Sequence, residues 1–284
     1  MSKQARTAQS SASKSDRVQK WIIGLILTVF GVAMILPFLW MILSSFKTEA
    51  EIKQIPPTLW PETFTFDSFQ KLFTEMDFTT YLVNTLLITL FSFVGLLLNA
   101  MAGFGFAKYR FKGRDKLFLL VLATMMIPGQ VTMIPVYLIL NSMHLTNTML
   151  GIVLPGFISA FGIFLFRQFM SALPDEILEA TRLDGAGEYG MFLRIVLPMS
   201  KPILAVQAIL TFISGWNSFL WPLIIANDEK LYTLSVGLQL LKGQHGTDYA
   251  LQMAGAAFMV VPIMIIFVFF QKHIIENYNI SGMK

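Results

Sequence analysis

Apolar residues in this chain gather into six runs separated by polar stretches. They lie at about 21–44, 81–107, 116–141, 147–170, 197–226 and 251–275. Each run reaches the roughly 20 residues that a helix needs to cross a hydrocarbon core of about 30 Å. Backbone polar groups in lipid must be satisfied within the segment, which helices achieve. The alternating pattern of a membrane β-barrel is absent. The pattern therefore predicts an all-α integral membrane protein with six transmembrane helices over residues 21–284. Residues 1–20, rich in Ser, Lys and Gln, read as a disordered tail. The first run, Trp21 to about Leu43, exceeds the roughly 7–15-residue core of a signal peptide, and it is expected to remain as a helix.

Proline and glycine interrupt these runs at Pro37, Pro128, Gly129, Pro135, Pro155, Gly156, Pro202, Gly215, Pro222 and Pro262. Neighbouring helices can re-satisfy the carbonyls such breaks release. Two readings stand side by side, ordinary kinks and gating hinges. No internal repeat is visible, which weakens an inverted-repeat carrier.

Basic residues orient the spans. Lys3, Arg6, Lys14, Arg17 and Lys20 precede the first. Lys108, Arg110, Lys112, Arg114 and Lys116 lie between the second and third. Arg167, Arg182, Arg194 and Lys201 surround the fourth-to-fifth connection, whereas residues 141–148 carry no Lys or Arg. Between the first and second spans, Lys47, Lys53 and Lys71 face six carboxylates from Glu49 to Asp77. The positive-inside rule then puts both termini and the fourth-to-fifth connection in the cytoplasm of a multi-pass membrane protein.

Composition agrees with that class. The chain is 55% hydrophobic and only 13% charged, against about 25% charged in soluble domains. There is no cysteine, which excludes disulfides and thiolate metal sites. The pI near 9.2 reflects topology signals beside apolar runs, so no nucleic-acid partner is inferred. His144, His245 and His273 show no metal-ligand spacing.

The most informative polar stretch is 173–198. Pro174 suits a first helical position, and Asp175 and Glu176 complement the dipole of a first turn. Ile177, Ala180 and Leu183 form a three-residue stripe, and Gly185 suits the position after a helix, where positive φ is needed. A helix over about 174–184 is expected, then a second over 188–195, with Pro198 opening the next span. One reading is a helix lying on headgroups, but such helices are usually basic. Asp175, Glu176, Glu179 and Asp184 against Arg182 favour a groove on a protein partner.

This stretch, Glu179-Ala180 followed by Gly185 and then Ile195-x-Leu197-Pro198, resembles the EAA loop of ABC-importer permeases. Thr181 stands where the second Ala of that motif falls, a small-for-small change. Phe-Lys-Thr at 46–48, Pro-Pro-Thr-Leu-Trp-Pro at 56–61, Asn-Thr at 84–85, Lys-Tyr-Arg-Phe at 108–111, Gly-Trp-Asn-Ser-Phe-Leu-Trp-Pro at 215–222 and the ending Gly-Met-Lys are similar to the maltose-type carbohydrate branch. The resemblance implies a type I permease fold with cytoplasmic coupling helices in a prokaryotic plasma membrane. It implies a second homologous permease as partner, normally an unlike chain, two cytoplasmic ATPase subunits and an extracytoplasmic sugar-binding protein. It assigns Glu179, Ala180, Thr181, Asp184, Gly185, Ile195, Leu197 and Pro198 to ATPase coupling, with Glu179 in a charge contact and Gly185 at the turn. ATP and magnesium would belong to the partner ATPase, since this chain has no G-x-x-x-x-G-K-[ST] loop. No cofactor and no catalytic role are expected here.

Sugars are recognised by amide and carboxyl hydrogen bonds and by aromatic faces. Trp216, Asn217 and Trp221 offer such groups, although a tryptophan belt or plain packing is the stronger reading there. Asn99, Gln130 and Gln207 are polar residues within spans, for which interhelical hydrogen bonding is favoured over a place on the path. The segment 228–249 reads as a free loop, and the resemblance suggests contact with the binding protein. No Asp, Glu, Lys or Arg lies mid-span apart from Arg167 at one end, which disfavours proton or sodium coupling. A permease for another substrate class and an ATP-independent carrier are the alternatives. A mitochondrial-type carrier would need three P-x-[DE]-x-x-[KR] repeats, and an intramembrane protease would need a catalytic cluster. Neither pattern is present.

Overall fold

The structure, a computed structural model, describes the backbone of residues 3–74, 76–244 and 248–281, and the side chains in those ranges except at 3–15, 242–244 and 272–281. His245 and the closing Gly-Met-Lys therefore fall outside the described residues, as does the side chain of His273. Helices are the only regular secondary structure among the described residues, which include no strand. In chain order the helices are α1 (Lys3–Ser44), α2 (Glu49–Ile52), α3 (Asp67–Thr74), α4 (Phe78–Lys108), α5 (Arg114–Thr124), α6 (Gly129–Ser142), α7 (Met149–Val153) and α8 (Ala160–Ser171). They continue with α9 (Asp175–Leu183), α10 (Glu188–Met191), α11 (Leu197–Met199), α12 (Lys201–Trp216), α13 (Leu220–Ile225), α14 (Leu234–Gln244) and α15 (Tyr249–Ser281).

Among the described residues, five segments are long and apolar enough to cross a membrane: Asp16–Ser44, Phe78–Lys108, Met149–Ser171, Lys201–Ile225 and Tyr249–Gln271. The expected third span is instead a pair of helices, α5 and α6, bent by 103°. The bend sits where Pro128 takes an extended ψ of 130° and cannot continue the helix. Counted as one broken span, the pair makes six. The helix before the first apolar run begins at Lys3, inside the stretch that the sequence reads as a disordered tail. No glycine or proline precedes Gly24, so nothing in the composition stops a helix nucleated in the apolar run from extending backwards.

Contacts divide the chain into two compact units. The first comprises Met1–Lys71 and Asp248–Ala257. In it the apolar side chains of α1 from Trp21 to Leu39 are largely exposed. Its packed part follows α1. Phe46 meets Phe64, Phe66 and Phe69 at ring-centroid distances of 6.2, 5.4 and 5.3 Å. Lys47 is 2% exposed and donates to the Thr58 carbonyl and hydroxyl oxygens. The Thr58 hydroxyl and the Glu62 amide both donate to the Glu51 carboxylate at 2.9 Å. Hydrogen bonds to the Lys47 ammonium and to one Glu51 oxygen offset the cost of burying these charges, while the other Glu51 oxygen has no partner among the described residues.

The second unit comprises Leu72–Thr247 and Phe258–Lys284, and is built on α4. Helix α8 lies close along it because Gly103 offers no side chain. A Cβ at Gly103 would sit 2.4 Å from the Phe166 Cβ. Helix α12 crosses α4 at Gly215, where a Cβ would lie 2.9 Å from the Thr89 Cα. Small residues let membrane helices approach and gain packing energy where lipid supplies no hydrophobic drive.

The fourth span is broken at Leu154–Gly156, a 3-10 turn containing Pro155, before α8 resumes. The backbone groups freed there find partners. The Asn99 side-chain oxygen accepts from the Ser159 amide at 2.9 Å, and the Ser159 hydroxyl caps Gly162 at 3.1 Å.

The segment 228–249 is not a free loop. A 3-10 turn (Glu229–Leu231) leads into α14. Asn84 donates to the carbonyls of Lys230 (2.7 Å) and Tyr232 (2.9 Å), and Thr85 accepts from the Leu234 amide at 2.9 Å. These bonds give Asn-Thr at 84–85 a structural task, holding the segment to α4. The sequence does not show them, because the partners are backbone atoms about 150 residues away.

A candidate coupling surface and a polar cavity

The 173–198 stretch folds as two short helices with a glycine turn between them. Pro174 is the N-cap of α9, one position earlier than expected. At the other end Gly185 takes φ +81°. Its amide donates to the Arg182 carbonyl at 3.0 Å, and the Ala186 amide reaches back to the Thr181 carbonyl at 3.2 Å. That pair of bonds is a Schellman closure, which requires the left-handed region at glycine. Helix α10 follows from Glu188 and passes into a π turn, Phe192–Val196. The next span starts at Lys201 with Pro202 in its first turn, so Pro198 does not open it.

The expected stripe of Ile177, Ala180 and Leu183 lies on the exposed side of α9. All three are exposed, Leu183 at 89%. Leu178, 3% exposed, is the side chain that turns inward. It joins Phe104 of α4, Phe166 and Met170 of α8, Met191, Phe192 and Val196 in one apolar cluster. The helix therefore has two faces: one fixed into the bundle, the other open and carrying Glu179, Ala180 and Leu183. Thr181 bonds back to the Ile177 carbonyl at 2.7 Å. Asp184 is the exposed C-cap, Ile195 and Leu197 are half-buried, and Pro198 is exposed.

Polar contacts reinforce the attachment. Lys108, at the end of α4, donates to the Leu173 carbonyl (2.5 Å) and to Asp175 (2.6 Å). The next residue, Tyr109, donates its hydroxyl to Glu188, and Arg182 pairs with the same carboxylate at 3.0 Å. Hydrogen bonding from Lys108 holds the Asp175 carboxyl below its ordinary pKa. Arg182, then Tyr109, do the same for Glu188. Burial and the neighbouring Glu188 push the Tyr109 phenol up to about 12. Lys108 and Tyr109 were legible in the sequence only as a topology signal and a motif. Their partners lie about 65 to 80 residues further on.

The path candidates separate into three groups. Asn99, Gln207 and Trp221 line one cavity of about 440 Å³ between α4, the 155–162 segment and α12. On α12 its polar wall is Gln207, Thr211 and Ser214, a spacing of four and three that keeps them on one helical face, and Ser218 lines it just past the helix end. Trp221 also donates to the Gly151 carbonyl at 3.2 Å and, with Gln130, borders an adjoining hollow. Trp216 stands apart. It is 3% exposed, stacks with Phe212 and donates to the Met259 carbonyl at 2.9 Å, which is packing. Asn217 is exposed and borders neither space.

A bundle of glycine-packed helices with a pinned, outward-facing helical loop defines a multi-pass transport component. The family model described as "Binding-protein-dependent transport system inner membrane component" matches residues 99–278, and the chain belongs to that family. It is 36% identical over 275 residues to the arabinooligosaccharides transport system permease protein AraQ of Halalkalibacterium halodurans, covering 95% of this chain and 99% of that one. Its counterpart from Bacillus subtilis is 34% identical, covering 94% and 96%. A crystal structure of a bacterial ABC transporter involved in import of the acidic polysaccharide alginate superposes with a TM-score of 0.79 at 24% identity, covering 91% of this chain and 97% of that chain. The fold is thus that of an ABC-importer permease, a multi-pass inner-membrane component.

Proposed function

We propose that the chain is one of two unlike permeases in an ATP-driven importer of mono- or oligosaccharides. Both termini and the α9–α10 loop face the cytoplasm, where two ATPase subunits hold ATP and magnesium. An extracytoplasmic binding protein delivers the sugar from the opposite side, where α14 and the segment before it lie. The observation that carries this reading is α9 itself. Its inner face is fixed by Leu178, Lys108 and Tyr109, while Glu179, Ala180 and Leu183 are left uncovered by this chain. Such a helix suits a groove on a soluble partner. Closure of the ATPase pair on ATP would then move the α4–α8–α12 bundle through α9. The largely exposed apolar residues of α1 suit lipid or the second permease. The arabinooligosaccharide permeases among the relatives support a carbohydrate substrate.

The test is uptake of labelled saccharides by cells expressing this chain with its genomic neighbours, with ATP present or depleted. ATP-dependent uptake that is lost in Glu179→Lys, at unchanged membrane insertion, is the expected result. Uptake that persists without ATP or any partner would overturn the reading in favour of a carrier.

A further inference from the structure

The cavity between α4 and α12 holds an unmatched polar group. Gln207 is 5% exposed, lines the cavity, and its side-chain nitrogen has no hydrogen-bond partner among the described residues. A buried amide donor left unpaired costs about 1–3 kcal/mol, so such a group in a native fold calls for an occupant. The hydroxyls of Thr211 and Ser214 continue from it along the same face of α12, and that of Ser218 follows just past the helix end. Across the cavity stands Asn99, whose oxygen is already engaged by the Ser159 amide. The volume of about 440 Å³ falls within the roughly 300–1,000 Å³ of ordinary small-ligand sites.

Polar and apolar residues share the wall, and among the described residues no Asp, Glu, Lys, Arg or His lines it. An anion in a low-dielectric site needs a paired cation or it costs several kcal/mol. Two basic residues at one end of the bundle, Arg167 and Lys108, are already engaged. Arg167 packs over the Phe118 ring at 3.6 Å and lies 3.8 Å from Asp115, and Lys108 is bound to Asp175. Trp221 gives the cavity an aromatic wall of the kind that packs against apolar C–H faces. Amide, hydroxyls and indole together suit a ring bearing many hydroxyls and no charge.

We infer that Gln207, with Thr211 and Ser214 beside it, is the specificity-determining contact of this chain for uncharged saccharides, and that this wall of the path rejects uronates and other anionic sugars. The inference rests on the transport reading above and adds the charge class and the contact residue.

The experiment uses the complete transporter in proteoliposomes, with ATP inside or outside as orientation requires. The probes are a neutral arabinotriose and an acidic trigalacturonate. The wild type is expected to carry the neutral probe and not the acidic one. Gln207→Leu should lower neutral uptake about tenfold, the effect of one lost hydrogen bond, with assembly unchanged. Gln207→Asn should restore part of it. Should Gln207→Leu fail to assemble, Thr211→Val with Ser214→Ala gives the same reading. Equal uptake of both probes, or neutral uptake unchanged in these variants, would overturn the inference and leave the transport reading intact. ATP-dependent uptake of neither probe would overturn the charge assignment and the transport reading together.

Discussion

The Nζ of Lys108 lies 2.6 Å from the Asp175 carboxylate and 2.5 Å from the Leu173 carbonyl. The residue that ends α4 thereby holds the residue that begins α9. Lys108 is 6% exposed and Asp175 74% exposed. The ammonium is thus fixed within the bundle while its carboxylate partner stays at the surface. Lys108→Met keeps the length of the stem and removes the donor. We expect it to leave the chain inserted and to reduce ATP-coupled uptake, less severely than Glu179→Lys. Tyr109→Phe should give a smaller loss, because Arg182 still holds Glu188. Uptake assays at matched expression read both.

Acid should loosen the same attachment. Asp175 and Glu188 have folded pKa values held below their ordinary range by Lys108 and by Arg182 with Tyr109. Depressed carboxylates contribute stability that is present above the ordinary value, about 4, and is lost as pH falls through the lower folded value. Hydrogen exchange of the α9 amides should therefore rise below about pH 4 before the α4 amides respond. Tyr109 works in the opposite direction. Its raised value stabilises the fold below about pH 10, and that contribution goes as pH climbs towards about 12.

Gly185 has open space where a Cβ would go, yet its φ is +81°. Gly185→Val therefore meets no neighbour and acts through the backbone alone, at about 1–3 kcal/mol. We expect normal insertion with weakened ATPase co-purification. Gly185→Asn, which tolerates the left-handed region better, should recover most of it.

Gly103 presents the converse case, with ordinary φ and no room. Gly103→Leu would drive a side chain into Phe166 and Arg167, at about 3 kcal/mol or more. A Cβ at Gly105, two residues on, would meet nothing within 4 Å, so Gly105→Ala is the matched comparison. A thermal-shift comparison in detergent should show a large fall for the first and little change for the second.

Much of this architecture is visible in the sequence because the signals are local. Twenty-residue apolar runs mark spans, and a polar stretch closed by Gly185 marks a turn. What the sequence does not show depends on distant partners or on competing local preferences. The stripe of Ile177, Ala180 and Leu183 is visible in the sequence, but the residue that the core takes is Leu178, which the stripe does not include. A three-residue repeat on a nine-residue helix does not say which side another element covers. The 103° bend at Pro128 is visible as a proline and a glycine but not as an angle. Asn99 reads as a hydrogen-bonding residue within a span and is one, although its donor is a backbone amide freed by the break after Pro155. The α14 helix does not stand out in the sequence because its polar and glycine positions weaken the helical pattern that its apolar residues make.

Leu178 gives α9 the character of a gear tooth keyed to its axle. A tooth held only by surface ion pairs would slip when loaded, because such pairs contribute about 1 kcal/mol at most. This one ends in a side chain 3% exposed, wedged among residues of α4, α8 and the 191–196 segment. A push on the outer face at Glu179 cannot rotate α9 alone without opening that cluster. The helix and the bundle behind it therefore turn as one piece.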